Sequence, residues 1–234
     1  MISLSDRIEK KIIFATLNNV KMTDNLENSN EFLEKVKSNK TFKMSAIAVG
    51  TLIVIVLGIV AYRTMIYAPA VEQSKSAYWQ DLVYLESDSL DLALQGFEAV
   101  AAKYDGKVGG EVSNYLAGRI LMDKGEFESA LSYLEKTDLE DVYASSMAVG
   151  LQGDCHVELG NFDKAVQLYT QAADKNANEM TSPMYLKKAA LVYELELKDF
   201  KKAEELYKKI ESEYFDYYKT NNIEKYIARA SNKQ

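Results

Sequence analysis

The feature that most constrains the fold is a ten-residue pattern that occurs four times at nearly regular spacing. The copies begin, in chain order, at Asp88, Gly125, Gly160 and Lys198. Each has an alanine at its sixth position, and successive alanines lie 37, 35 and 38 residues apart. An apolar residue three before the alanine and a large apolar residue four after it share one helical face. The spacing therefore predicts a repeated helical unit.

The pattern resembles the tetratricopeptide repeat, whose unit is a helix pair of about 34 residues. The resemblance covers about residues 74–213 and implies an all-α fold, with about four helix pairs stacked as an α-solenoid. Small residues typical of the close contact between paired helices occur at Ala117–Gly118 and Gly153, whereas the first copy has Gln80–Asp81. The segment from Asn222 to Ala230 predicts a capping helix. An irregular helical bundle is the alternative.

The turns between paired helices are expected to need a positive φ, which glycine adopts without strain. Gly125 and Gly160 supply it in two copies. Lys198 stands there in the last copy, so we expect that turn to adopt another conformation. Gly106 and Gly109–Gly110 are expected to lie in an inter-repeat loop.

A run of 19 residues without a charge, from Met44 to Tyr62, precedes the repeats. As a helix it spans roughly 28 Å, close to the thickness of a bilayer core. A cleaved signal peptide is the alternative, but the run begins late and is longer than a signal core of about 7–15 residues. The sequence thus predicts a transmembrane helix at 43–67, and hence contact with the lipid bilayer.

The flanking charges predict the orientation of this helix. Four lysines precede the run and only two cations lie in the twenty residues after it. The positive-inside rule then places residues 1–42 in the cytoplasm, as a mostly mobile tail, and residues 68–234 outside. Met22 is an alternative translation start. Ala46, Gly50 and Gly58 share a face of the helix and form a candidate packing seam.

Composition excludes several kinds of function. The chain has one Cys and one His, Cys155 and His156, too few for a disulfide framework or a zinc or haem site. Because adjacent helical residues point about 100° apart, these two do not form a nucleophile–base pair. We expect no enzyme, no cofactor and no metal. The net charge of −7 also argues against nucleic-acid binding.

The first helices of stacked repeats line a concave surface, which is where such domains bind partners. The usual groove-facing positions in this chain are Tyr78, Tyr115, Arg119, Met122, Met147, Asp154, Tyr185 and Lys188. Aromatic, methionine and single charged side chains suit a peptide- or protein-binding groove. Packing between repeats is the alternative role for each.

The order of tail, membrane helix and outer repeats resembles the ancillary subunit of the bacterial SecYEG translocon (the YfgM type). The resemblance implies an inner-membrane protein whose periplasmic domain associates with SecYEG and a membrane-bound periplasmic chaperone, and which binds secreted polypeptides. Residues 64–234 hold 19 Lys/Arg and 29 Asp/Glu, which favours basic or unfolded segments over acidic ones. A scaffold of another envelope assembly (secretion, motility or cell-wall machinery) is the main alternative. A mitochondrial import receptor conflicts with the predicted orientation.

Overall fold

The computed structural model describes residue 34 and residues 40–233, and all regular elements among these are helices. The all-α prediction is thus confirmed for that part of the chain. The helices are α1 (Lys40–Tyr62), a π-helical turn (Arg63–Tyr67), α2 (Ala68–Ala77), α3 (Trp79–Glu86), α4 (Leu90–Lys103), α5 (Val108–Asp123), α6 (Phe127–Leu134), α7 (Val142–Glu158), α8 (Phe162–Lys175), α9 (Thr181–Leu195), α10 (Phe200–Glu213), α11 (Phe215–Thr220) and α12 (Ile223–Ser231). The chain forms two compact units, Met1–Ile66 and Tyr67–Gln234.

The first unit contains α1, which is long and apolar enough, by length and composition, to cross a membrane. Its large apolar side chains between Met44 and Val60 are 50–68% exposed. Nothing lies within 4 Å of where a Cβ would stand at Gly50 or Gly58. The predicted tail, residues 1–42, lies almost entirely outside the described residues.

The second unit consists of stacked helix pairs. Four consecutive pairs are α3 with α4, α5 with α6, α7 with α8, and α9 with α10, and each second helix carries one copy of the sequence pattern. The aligned alanines Ala93, Ala130, Ala165 and Ala203 are all 0% exposed. Each aligned alanine is therefore enclosed by its neighbours, and a larger side chain there would need space that the packed core does not have.

The turns inside the four pairs share one backbone conformation. The residue that begins each copy has a positive φ, of 59° at Asp88, 76° at Gly125, 72° at Gly160 and 56° at Lys198. The expectation that Lys198 would require another turn is wrong. The lysine adopts the left-handed conformation itself, and its ammonium group donates a hydrogen bond to the carbonyl of Leu195 at the end of α9.

The start of the second unit also differs from expectation. Gly109 and Gly110 lie in the first turn of α5 instead of in a loop, whereas Gly106 does precede the helix. The backbone N–H of Gly109 donates to Ser74 Oγ on α2 at 3.2 Å, and Ser74 is fully buried. Helix α2 thus packs against α5 and covers the beginning of the repeat stack.

At the other end, α11 and α12 follow the last pair. Ile223 and Ala230 of α12 are 0% exposed and belong to the same apolar core as Tyr207 and Ile210 of α10. Helix α12 thereby covers the apolar face that a stack of repeats leaves open at its end.

Candidate functional site

Most of the predicted groove residues lie on three successive first helices. Tyr115, Arg119 and Met122 are on α5, Met147 and Asp154 are on α7, and Tyr185 and Lys188 are on α9; Tyr78 lies between α2 and α3. Arg119 is exposed, Tyr185 is buried, and the other six are half-buried.

Asp154 and Lys188 form the centre of the most ordered polar cluster among these residues. The Lys188 ammonium nitrogen lies 2.7 Å from Oδ1 and 2.8 Å from Oδ2 of Asp154. Tyr169, from the second helix α8, donates its hydroxyl to Asp154 Oδ1 at 2.5 Å. The Lys188 nitrogen also lies 5.6 Å and 5.8 Å from the ring centroids of Tyr169 and Tyr185. The carboxylate is therefore bound from two sides and holds neighbouring repeats in register.

A glycine on α7 allows Tyr185 to enter this cluster. A Cβ at Gly150 would lie 2.0 Å from Cε1 of the Tyr185 ring, so only glycine permits the contact. The rings of Tyr185 and Tyr169 stack with centroids 6.2 Å apart and an interplanar angle of 17°. Burial and the Asp154 charge raise the pKa values of both tyrosine hydroxyls, so both stay protonated, and the Tyr169 hydroxyl can act as the donor to Asp154.

Tyr115 and Arg119 form a neighbouring and more accessible pair. The Arg119 guanidinium carbon lies 5.9 Å from the centroid of the Tyr115 ring, within the range of a cation–π contact. Burial raises the pKa of the Tyr115 hydroxyl, although Arg119 opposes that shift. None of the ion pairs among the described residues involves Arg119.

Tyr78 and Met122 contribute more to packing than to an open surface. Tyr78 packs against the buried cluster around Phe97, and its ring stacks on Trp79 with centroids 5.7 Å apart. Met122 packs against the cluster that contains Leu134 and Cys155.

A groove of about 830 Å³ lies beside Tyr115, and the sequence interpretation did not identify it. We call it the α2–α5 groove; its lining is Tyr67, Val71, Lys75, residues 106–108, Glu111, Val112, Tyr115, Leu116, residues 138–141 and Ala144. The sequence signal was present, because Val108, Val112, Tyr115 and Leu116 follow one another at helical spacing on α5. Nothing in the sequence indicates that α2 and the α6–α7 loop form the opposite walls.

Cys155 and His156 do not form a reactive pair. Cys155 is 0% exposed, and burial together with the adjacent Asp154 charge raises the pKa of its thiol to about 11. Burial lowers the pKa of the His156 imidazole, whose Nδ1 lies 3.4 Å from the amide nitrogen of Asn161. Among the described residues, no group of three or more His, Cys, Asp or Glu side chains is placed to hold a metal ion.

Comparison with known proteins agrees with this architecture. Residues 83–193 match a family described as a tetratricopeptide repeat-like domain. The chain is also similar to a solved structure, the crystal structure of MamA protein, with a TM-score of 0.50 and 18% identity over 69% of this chain and 92% of that one. No curated protein matches the chain. Repeat folds of this type are typically non-catalytic scaffolds for protein interaction. The helical repeats of residues 83–193 therefore form a tetratricopeptide repeat-like domain.

Proposed function

We propose that the protein is a membrane-anchored protein-interaction module whose groove, along α5, α7 and α9, binds polypeptide segments of a partner. The observation that carries the proposal is the pair of Tyr115 and Arg119. An exposed cation held over an aromatic ring, beside a cluster that fixes neighbouring repeats, is the kind of group that interfaces use as an anchor.

The proposed site has a fixed part and an adaptable part. Asp154 and Lys188 bind each other and carry little free charge toward a ligand. Arg119 and the half-buried Met147 stay accessible, and they can contact acidic or apolar groups of a bound chain. The Asp154–Lys188 pair preorganises the groove, which lowers the entropic cost of binding.

Helix α1 is the proposed anchor. Its length, its composition and its exposed apolar side chains support insertion into a bilayer. The lysines before it support a cytoplasmic N-terminus and a periplasmic repeat domain at the inner membrane. Ala46, Gly50 and Gly58 remain the proposed contact with a second membrane helix, and the space beside both glycines is open.

Association with SecYEG and a membrane-bound periplasmic chaperone is the partner assignment we propose, on the resemblance in architecture. A repeat domain tethered beside a translocation pore meets emerging segments at a high effective concentration, so that even a weak groove is occupied. A scaffold in another envelope assembly would use the same groove for one fixed partner.

Site-specific crosslinking in native membranes tests both the groove and the partner. A photoreactive amino acid replaces Arg119 in the full chain, and the same amino acid replaces Gln171, an exposed residue of α8, as the control. We expect Arg119 to crosslink to a Sec channel subunit, the chaperone or a secreted chain, and Gln171 not to. Crosslinks from Arg119 to another envelope complex would favour the scaffold. Equal crosslinking from both positions would contradict the proposal that partners bind in the groove.

A further inference from the structure

The α2–α5 groove has apolar walls that the fold leaves accessible. Its apolar lining includes Val71 of α2, Val112 and Leu116 of α5, and Leu139 of the α6–α7 loop, and all four are half-buried. Val108 at its rim is 44% exposed. A volume of about 830 Å³ falls in the range of clefts that enclose a ligand.

Most charged groups around this groove already have partners within the protein. The Glu111 carboxylate accepts the backbone N–H of Asp138 at 2.6 Å. Asp141 caps α7 by accepting the N–H groups of Tyr143 and Ala144 at 3.0 Å and 2.8 Å. The Lys75 ammonium group pairs with Glu72 at 2.7 Å.

Two further carboxylates at the groove have no such hydrogen-bond partner among the described residues. The side chains of Asp138 and Glu140 are exposed, and in the described part of the chain no cation lies within 4 Å of either. The other lining cation, Lys107, donates to the neutral carbonyl of Asp105 at 3.2 Å and keeps its positive charge. The lining nevertheless holds four carboxylates, of Glu111, Asp138, Glu140 and Asp141, against the two cations of Lys75 and Lys107. The groove therefore combines apolar walls with a lining of net negative charge.

We propose that the α2–α5 groove binds a polypeptide segment in which apolar side chains are flanked by lysine or arginine. The apolar side chains fill the space between Val71, Val112 and Leu116, and the flanking cations pair with Asp138 and Glu140. A segment flanked by acidic residues is repelled by the same rim. The inference rests on the proposed function, because it names the kind of segment that the repeat domain takes up.

Three designed peptides test the proposal against the full chain in phosphatidylcholine nanodiscs, with empty discs as the blank. The peptides are fluorescent, share their leucine positions and carry lysine, serine or glutamate at all other positions. Fluorescence anisotropy should give a Kd for the lysine peptide about tenfold lower than for the glutamate peptide. The difference should shrink as salt is raised, because exposed charges are screened.

Matched variants locate the binding. The pair Asp138→Asn and Glu140→Gln should weaken binding of the lysine peptide about fivefold or more. The control pair, Asp123→Asn and Glu128→Gln, removes the same charge from exposed positions outside the groove and should leave the Kd within about twofold. Val108→Ser should weaken the binding of every peptide that binds, since it removes apolar contact at an exposed rim position.

Equal affinity for the lysine and glutamate peptides, or equal effects of the two variant pairs, would overturn the inference. So would a groove that is covered by a second copy of the chain. That result would be seen as two copies of the protein per nanodisc, with peptide binding restored when they dissociate. Crosslinking from Arg119 is independent of these measurements. If it succeeds while the peptides fail to discriminate, the interaction module stands and the assignment of this groove falls.

Discussion

The guanidinium group of Arg229 on α12 donates two hydrogen bonds to the carboxylate of Glu194 on α9. Nη2 lies 2.8 Å from Oε2, and Nε donates to Oε1. The Tyr207 hydroxyl donates to Oε2 of the same carboxylate at 3.1 Å. Glu194 is only 1% exposed, so the capping helix is fastened to the last repeat through a buried charge.

Removing the arginine should release the capping helix. Arg229→Met leaves Glu194 buried without its cation, and breaking a fully buried pair costs about 3–5 kcal/mol. The Arg229 side chain is 44% exposed, so we expect about 1–3 kcal/mol. Hydrogen exchange should show faster exchange of the α12 amides. Lys225→Met, an exposed change on the same helix, is the control, and equal effects would mean that the ion pair does not fasten α12.

Asp81 in the first repeat is a buried carboxyl group without a partner in the described part of the chain. It is 8% exposed, and burial raises its pKa above the ordinary value of 3.8. Asp81→Asn should therefore raise the free energy of unfolding at pH 7, by about 0.5–1.5 kcal/mol.

The stability difference between Asp81→Asn and the natural chain should depend on pH. A carboxyl whose pKa is higher in the folded state than in the unfolded state destabilises the fold once it ionises. The advantage of the Asn variant should thus be full above the folded pKa and disappear as the pH falls toward 3.8. Urea unfolding at several pH values measures it, with Glu86→Gln as the exposed control. A constant difference at all pH values would contradict the burial argument.

Gly96 on α4 lies directly against Asp81. A Cβ at Gly96 would stand 1.9 Å from Oδ1 of Asp81, so Gly96→Ala forces the Asp81 carboxyl group out of its present position between the two helices. We expect a cost of about 1–3 kcal/mol in the natural chain. In an Asp81→Ala background, the same change should be neutral or stabilise by up to about 1 kcal/mol, since alanine favours helix. A double-mutant cycle measures the coupling. Equal effects of Gly96→Ala in both backgrounds would show that the two sites do not touch.

This contact shows what periodicity could and could not predict about the fold. The pattern located every helix pair, because aligned alanines mark the close contacts. It also identified Asp81 as an irregular residue in the first copy. It could not identify Gly96 as the small residue that leaves room for Asp81, because which residues of two helices lie opposite each other depends on how the helices pack.

The candidate site was predictable to a similar degree. Helical spacing correctly assigns Asp154 and Lys188 to first helices. It does not indicate that they bind each other, since that depends on the distance between side chains from different repeats. Tyr169 was missed because it belongs to a second helix and reaches the cluster past Gly153.

The strained turn at Lys198 predicts a stabilising substitution. A non-glycine residue in the left-handed conformation costs about 1–2 kcal/mol, and Lys198 has a φ of 56°. Lys198→Gly removes that strain but adds freedom to the unfolded chain, so we expect a net gain of about 0.5–1 kcal/mol in urea unfolding. Lys198→Ala keeps the strain and should give no gain. Lys201→Gly, within α10, should destabilise. A loss of stability in Lys198→Gly would mean that the bond to Leu195 outweighs the strain.

The single cysteine offers a test of how tightly the third repeat is packed. Cys155 is 0% exposed, so an alkylating reagent cannot reach it in the folded chain. Because the pKa of its thiol is raised to about 11, little of the reactive thiolate is present near neutral pH. We expect N-ethylmaleimide to label the folded chain at least about a hundredfold more slowly than the urea-unfolded chain, as followed by intact mass. The control is Gln167→Cys on the exposed side of α8, in a Cys155→Ala background, which should react at once. Rapid labelling of Cys155 in the folded chain would show that α7 separates from its neighbours, and such opening would also break the Asp154–Lys188 pair on which the groove depends.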